Sequence, residues 1–189
     1  DVATGTGDLA IELVQTIPSI THVTGIDISE EMMRIGGEKV RMLGLDRKID
    51  FLRQDSTATD FTEATFDAAT IGFGIRNFSD IPAAARELHR ILRPSGVLII
   101  VELSEPTNPI LHLGYKLYAG HIVPLIGRLM TEDKDAYSYL PQSIKAVPQR
   151  EQMVEILKEA GFREAFYESI FPGSCTIYVG INAAPIPFP

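Results

Sequence analysis

Three aspartates stand where the first strands of this chain should end. Asp1 opens the segment Asp1-Val2-Ala3, Asp27 lies in the run THVTGIDIS, and Asp55 ends the run KIDFLRQD. Asp1 leads directly into a Gly-x-Gly-x-x-Ala loop, Gly5-Thr6-Gly7-Asp8-Leu9-Ala10. A glycine loop between a strand and a helix lets the backbone approach a nucleotide at the open edge of an α/β sheet. Dinucleotides and adenosine-based methyl donors both use such loops, so the carboxylates must decide between them. Asp1 is a poor neighbour for a dianionic pyrophosphate and a good one for a cationic amine. Asp27 can accept hydrogen bonds from both hydroxyls of a ribose, a feature that nicotinamide enzymes share. Asp55, followed by Ser56, can accept from the adenine amino group. Together the three acids favour S-adenosylmethionine (AdoMet) and disfavour a nicotinamide oxidoreductase.

These acids need a scaffold, and the periodicities supply one. Asp1-Val2-Ala3 reads as the end of a first strand. Leu9, Ile11, Leu13, Val14 and Ile17 give a helix over 8–17. After the second strand, Ser29 is expected to cap a helix running to about Leu43, with Glu30 and Glu31 suited to its positive end and Gly44 as its stop. Gly36-Gly37 within that helix counts against it. TFDAATIGFGI reads as a fourth strand, and Asp80 as the cap of a helix through Leu92. Pro94-Ser95-Gly96 should turn the chain into VLIIVELS, a fifth strand apolar enough to be covered on both faces. A helix is expected over 149–160, stopped by Gly161. REAFYESI and SCTIYVGIN then make two closing strands around Pro172-Gly173. Regular alternation of strand and helix predicts a single α/β domain over 1–189 with a mainly parallel, Rossmann-like sheet, a closing antiparallel hairpin and a helical insertion.

The insertion spans 104–148 and contains NPILHLGYKLYAGHIVPLIGRLM, apolar on most sides and interrupted by Pro124. It can pack a small core of its own or serve as a lid over an apolar substrate.

The chain has 189 residues, a formal net charge of −8, one cysteine and four histidines. That length suits one domain. The acidic balance, with no basic cluster, argues against nucleic acid as a partner. Cys175 by itself makes no intrachain disulfide, which suits a reducing cytoplasm. No metal-ligand spacing is present. No apolar run is long enough to cross a membrane.

The segments DVATGTGDLA, GIDISEEMM, TIGFGIRNFSD, RILRPSGVLIIVELSEPTNP, HIVPLIG, DAYSYLPQSI and AGF together resemble the C-methyltransferases of ubiquinone and menaquinone biosynthesis, within the class I AdoMet-dependent methyltransferases. FGIRN and YSYLPQSI carry more of the resemblance than the glycine loop, because generic methyltransferases lack them. The resemblance implies methylation of a ring carbon of a polyprenylated quinol, with demethylmenaquinol favoured by the closing GSCTIYVGIN. Another AdoMet enzyme, one for ubiquinone precursors or for a soluble small molecule, and a non-catalytic AdoMet-binding subunit remain alternatives. It also implies that Thr6, Asp27, Asp55 and Ser56 contact the cofactor; Asp1, Gly5, Gly7, Ile28 and Gly72 complete the expected set. Three departures from the family stand out. Gly72 replaces a frequent serine, Ala3 stands where many methyltransferases have glycine, and Pro-Ser-Gly replaces Pro-Gly-Gly. The family has a helical segment ahead of the first strand that is not in this sequence, so the chain is expected to be part of a longer protein.

A quinol becomes nucleophilic at carbon when it loses a phenolic proton. Arg76 and Asn77 follow the fourth strand, beside the expected methyl-donor site. An arginine stays protonated in proteins, so Arg76 is expected to stabilise the phenolate, with a structural pairing to Asp80 as the alternative. Asn77 could orient the quinol oxygen. His121, in the insertion, is the base candidate by its intrinsic properties. Tyr137 and Tyr139 are expected to line the ring pocket. A polyprenyl tail implies transient contact with a membrane surface from the cytoplasmic side, and the apolar insertion or the closing hairpin could support a homodimer.

Overall fold

The structure is a computed structural model that describes residues 1–111, 143–144, 146 and 147–182. Its elements run α1 (Asp8–Thr16), β1 (Val23–Asp27), α2 (Glu30–Met42), β2 (Ile49–Arg53), β3 (Phe66–Gly72), a 3-10 turn (Ile75–Asn77), α3 (Ile81–Ile91), β4 (Leu92–Leu103), α4 (Glu151–Glu159), β5 (Glu164–Ile170) and β6 (Cys175–Ile181). The strands pair as β1-β2 and as β3-β4-β6-β5. Val2 joins the two halves through parallel bridges to Ile26 and Ile71. The order across the sheet is therefore β2, β1, the Val2 segment, β3, β4, β6, β5. Every pairing up to β4 is parallel, and β6 is antiparallel to both of its neighbours.

The Val2 segment is the predicted first strand. Ile26 N donates to Asp1 O at 2.8 Å, Thr4 N to Ile26 O at 3.0 Å, and Val2 N to Thr70 O at 2.8 Å. Among the described residues of this segment only Val2 bridges on both sides, because the chain turns into the glycine loop at once. Sequence order reverses across the sheet at this segment: β1 and β2 lie to one side and β3 to the other. Ligands bind at such a point in open α/β sheets, outside the carboxyl ends of the strands.

The helices form where capping and periodicity placed them. Ser29 Oγ accepts from Met32 N at 3.4 Å, and Asp80 Oδ1 accepts from Ala83 N at 2.8 Å. α1 and α2 cover β1 and β2 through Ala10, Ile11, Val14 and Val40. α3 and α4 cover the other face, where Leu88, Met153 and Leu157 pack on Ile71, Leu98 and Ile100. Each of these fully buried apolar side chains stabilises the fold by roughly 1.5–3 kcal/mol relative to exposure.

Three boundaries differ from the sequence expectation. β2 ends at Arg53, and Asp55 sits beyond it in an isolated antiparallel bridge with Ala58. The predicted fourth strand stops at Gly72, and Ile75–Asn77 turns as a 3-10 helix. β4 begins at Leu92, so Pro94-Ser95-Gly96 lies inside the strand as an irregularity. Phe66 pairs with Leu92 while Ala68 pairs with Val97, and Ser95 takes up the extra chain with φ of 64°. The Gly36-Gly37 objection fails, because α2 runs unbroken through both glycines. The insertion begins as a helix at Pro109, where Asn108 Oδ1 accepts from Ile110 N and Leu111 N; most of it lies outside the described residues.

Candidate functional site

A cavity of about 850 Å³ opens at the carboxyl edge of the sheet, above the Val2 segment. Asp1, Asp27 and Asp55 all line it. The Val2 segment, β1 and β2 run parallel, and that is why Asp1, Asp27 and Asp55, far apart in sequence, share one opening.

Each acid is held by its own set of donors. Asp1 accepts from Thr70 Oγ1 at 2.8 Å and from Thr4 Oγ1 at 2.6 Å. Asp27 accepts from Gly5 N at 2.8 Å and Ser29 N at 2.9 Å, so it ties the glycine loop to the start of α2. Asp55 accepts from the backbone N–H and the hydroxyl of Thr57, and these bonds hold its carboxyl below the usual range. A carboxylate offers about four lone-pair positions, so every acid keeps acceptor capacity for a ligand. Acidic acceptors at this edge fit an ammonium, a ribose diol and an adenine amino group, the hydrogen-bond donors of AdoMet.

The other expected cofactor neighbours divide. Gly5, Thr6, Ile28, Ser56 and Gly72 line the cavity. Ile28 is 72% exposed and offers an apolar surface beside Met32 and Phe73, which sequence reading missed. Thr6 donates its hydroxyl to Asp8 at 2.7 Å and accepts from Lys39 Nζ at 2.9 Å. Lys39 also donates to Asp8 at 2.8 Å, and these bonds, led by that of Lys39, hold the Asp8 carboxyl low. Gly7 does not line the cavity. It caps α1 with φ of 76°, and a Cβ there would stand 2.5 Å from Phe51 Cζ. Its glycine identity is explained by backbone conformation and close packing. Gly72 faces Leu9, whose Cδ2 would lie 3.0 Å from an added Cβ.

Arg76 and Asn77 line the same cavity from the 3-10 turn. Arg76 is not braced by Asp80, which is occupied as a helix cap. Its Nη1 donates to Glu102 at 2.6 Å, in an ion pair whose side chains are 17% and 2% exposed. Sequence reading did not single out Glu102. The available signal was one acid within the apolar run VLIIVEL. Phe73, just before this turn, holds φ of 56° and donates its N–H to Val101 O at 2.8 Å. Left-handed backbone in a bulky residue is strained, and such strain concentrates at functional sites. His121, Tyr137 and Tyr139 lie outside the described residues. No cluster of potential metal ligands occurs among the described residues, and no helix among them is long and apolar enough to cross a membrane.

Comparison with known proteins places this geometry. The model of the ubiE/COQ5 methyltransferase family matches residues 1–182. A demethylmenaquinone methyltransferase of Porphyromonas gingivalis is 47% identical over 182 residues, covering 96% of this chain and 74% of that protein. A ubiquinone/menaquinone biosynthesis C-methyltransferase UbiE of Dinoroseobacter shibae is 36% identical, covering 95% of this chain and 72% of that protein. Among solved structures, a SAM-dependent methyltransferase from Aquifex aeolicus superposes with a TM-score of 0.68 at 21% identity, over 96% of this chain and 79% of that one. The [4+2]-cyclase SpnF superposes at 0.72 with 18% identity, over 97% and 73%. At such identities the structural likeness shows the fold alone, that of the class I methyltransferases.

Proposed function

The chain belongs to the ubiE/COQ5 methyltransferase family, and from that premise we propose that it transfers a methyl group from AdoMet to a ring carbon of demethylmenaquinol. One observation carries this reading: Asp1, Asp27 and Asp55 line a single cavity together with Arg76 and Asn77. When bound, AdoMet supplies an electrophilic methyl group on a sulfonium.

The chain's own residues do the rest. Asp1 accepts from the ligand's ammonium, Asp27 from its ribose hydroxyls, and Asp55 with Ser56 from its adenine amino group. Ile28 and Met32 give the adenine an apolar surface. Gly72 and Gly74 line the cavity and pack closely on Leu9 and Ala3, where a side chain would clash. Arg76 and Asn77 offer N–H donors to the ring oxygen as it gains negative charge. His121 is the group proposed to take the phenolic proton, and the hydrogen on the methylated carbon then leaves as a proton while the ring regains its aromaticity and the oxygen its proton. Holding both reactants in one cavity removes much of the orientational barrier. The acceptor's polyprenyl tail would bring turnover to a membrane surface.

Two measurements on the full-length protein test this. Calorimetric titration with AdoMet should give heat and saturation. Incubation with methyl-labelled AdoMet and demethylmenaquinol should give labelled menaquinol, with a ubiquinone precursor run alongside. Absence of heat, or label appearing only in the ubiquinone precursor, would overturn the assignment.

A further inference from the structure

Glu102 is a buried acid that the chemistry above leaves unused. It lies on β4 in register with Thr176 of β6, on the face that carries Leu98 and Ile100. Burying an ion is costly unless donors surround it. Glu102 has three: Arg76 Nη1 at 2.6 Å, Leu103 N at 2.8 Å and Arg76 N at 3.3 Å. Two of the three come from Arg76, so one carboxylate fixes both the main chain and the side chain of a residue that lines the cavity. Among the described residues, Nε and Nη2 of Arg76 make no hydrogen bond. The guanidinium is thus tethered at one corner, with donors left over for a ligand.

Resting on the phenolic-acceptor reading, we propose that Glu102 is a positioning residue for the methyl acceptor. It anchors Arg76 and cancels its charge, so that a ring hydroxyl meets the aimed N–H donors of a neutral ion pair and not a free cation.

The groups packed around Glu102 agree with this. Thr176 and Tyr178 share its face from β6, and Cys175 lies at the next position of that strand on the other face. Burial first, and the charge of Glu102 second, raise the Cys175 thiol. Burial also raises the Tyr178 hydroxyl, which accepts from Arg150 N at 2.9 Å, and Glu102 adds a smaller push in the same direction. Both groups stay neutral near pH 7, and Arg76 is the charged partner.

The signs of the expected effects follow from charge alone. Removing the Glu102 charge leaves an uncompensated cation beside the ligand and favours phenolate. Removing the Arg76 charge leaves an uncompensated anion and disfavours it. The test uses 1-naphthol as the bound phenol, since its absorbance reports ionisation. The full-length wild type, Glu102→Gln, Arg76→Gln and the double variant are compared at one fixed pH. Glu102→Gln should raise the ratio of bound naphtholate to naphthol about tenfold, and Arg76→Gln should lower it by a similar factor. If Glu102→Gln alone does not fold, adding it to Arg76→Gln must still raise the ratio, because it removes the uncompensated anion. Shifts in the same direction, shifts under about twofold, or a wild type that binds no 1-naphthol would overturn the proposal. Methylation by the wild type is scored separately. A failure of the methyltransferase reading is thereby distinguishable from a failure of this one.

Discussion

Gly36 of α2 rests directly on the backbone of Thr6. A Cβ at Gly36 would stand 3.1 Å from both the carbonyl carbon and the carbonyl oxygen of Thr6, and 3.1 Å from Phe51 Cζ. The next residue, Gly37, would place a Cβ in open space. Two adjacent helical glycines therefore have opposite meanings. The first lets α2 approach the glycine loop, and the second only weakens the helix.

Alanine substitution should separate them. Gly37→Ala is expected to stabilise the protein by roughly 0.5–1 kcal/mol through helix propensity. Gly36→Ala should destabilise by about 1–2 kcal/mol, because main chain on the loop side cannot yield cheaply. Urea unfolding of each variant checks both signs, and Gly36→Ala should also weaken AdoMet binding by displacing Thr6.

Ala3 and Gly74 give a coupled prediction. Ala3 holds φ of 53°, and a Cβ on Gly74 would stand 2.6 Å from that of Ala3. Gly74→Ala should cost about 2 kcal/mol. Ala3→Gly should be neutral or stabilising by up to about 1 kcal/mol, since glycine accepts a left-handed backbone. The double variant should recover most of the loss, which a double-mutant cycle measures as a coupling energy above about 1 kcal/mol.

Asp27 has a structural duty as well as a proposed ligand. Asp27→Ala leaves Gly5 N and Ser29 N, both half-buried, without their side-chain acceptor, and each lost bond costs about 0.5–1.5 kcal/mol. AdoMet affinity should fall at least about thirtyfold, because both loop and ribose acceptor are lost. Asp27→Asn, which retains one acceptor oxygen, should keep more of the melting temperature than of the affinity. Equal loss of both would contradict a ribose contact.

Glu87 should govern part of the acid stability. Arg90 beside it, and then the Thr59 hydroxyl and backbone N–H, hold its carboxyl down to about 2, against burial that acts the other way. A carboxyl lowered on folding contributes stability above its unfolded value and loses it as pH falls toward the folded value. The contribution, on the order of 2 kcal/mol, should be complete near pH 6 and should fade from about pH 4.5 down to about pH 2. Denaturant unfolding of Glu87→Gln should show a deficit at pH 6 that shrinks steadily across that window. A deficit independent of pH would point to packing and not to the charge.

Much of this protein was legible in its residues alone. Alternating periodicities gave the α/β class, and local chemistry gave the caps at Ser29 and Asp80, since side-chain capping depends on neighbours within one turn. The Asp1, Asp27 and Asp55 trio and the glycine loop could be read because strand ends in a parallel sheet face one edge. Three matters needed the tertiary structure. Arg76 turned to Glu102, twenty-six positions away in the chain, and not to the nearby Asp80, since partner choice depends on which strand lies beside the turn. Gly7 proved to be a packing residue, because Phe51 approaches it from another strand. Gly36 and Gly37, identical in sequence, parted only when the loop at Thr6 came to rest on one of them. A sequence carries local conformational preference and periodic burial; which groups meet across the fold is decided by packing between segments that no local pattern encodes.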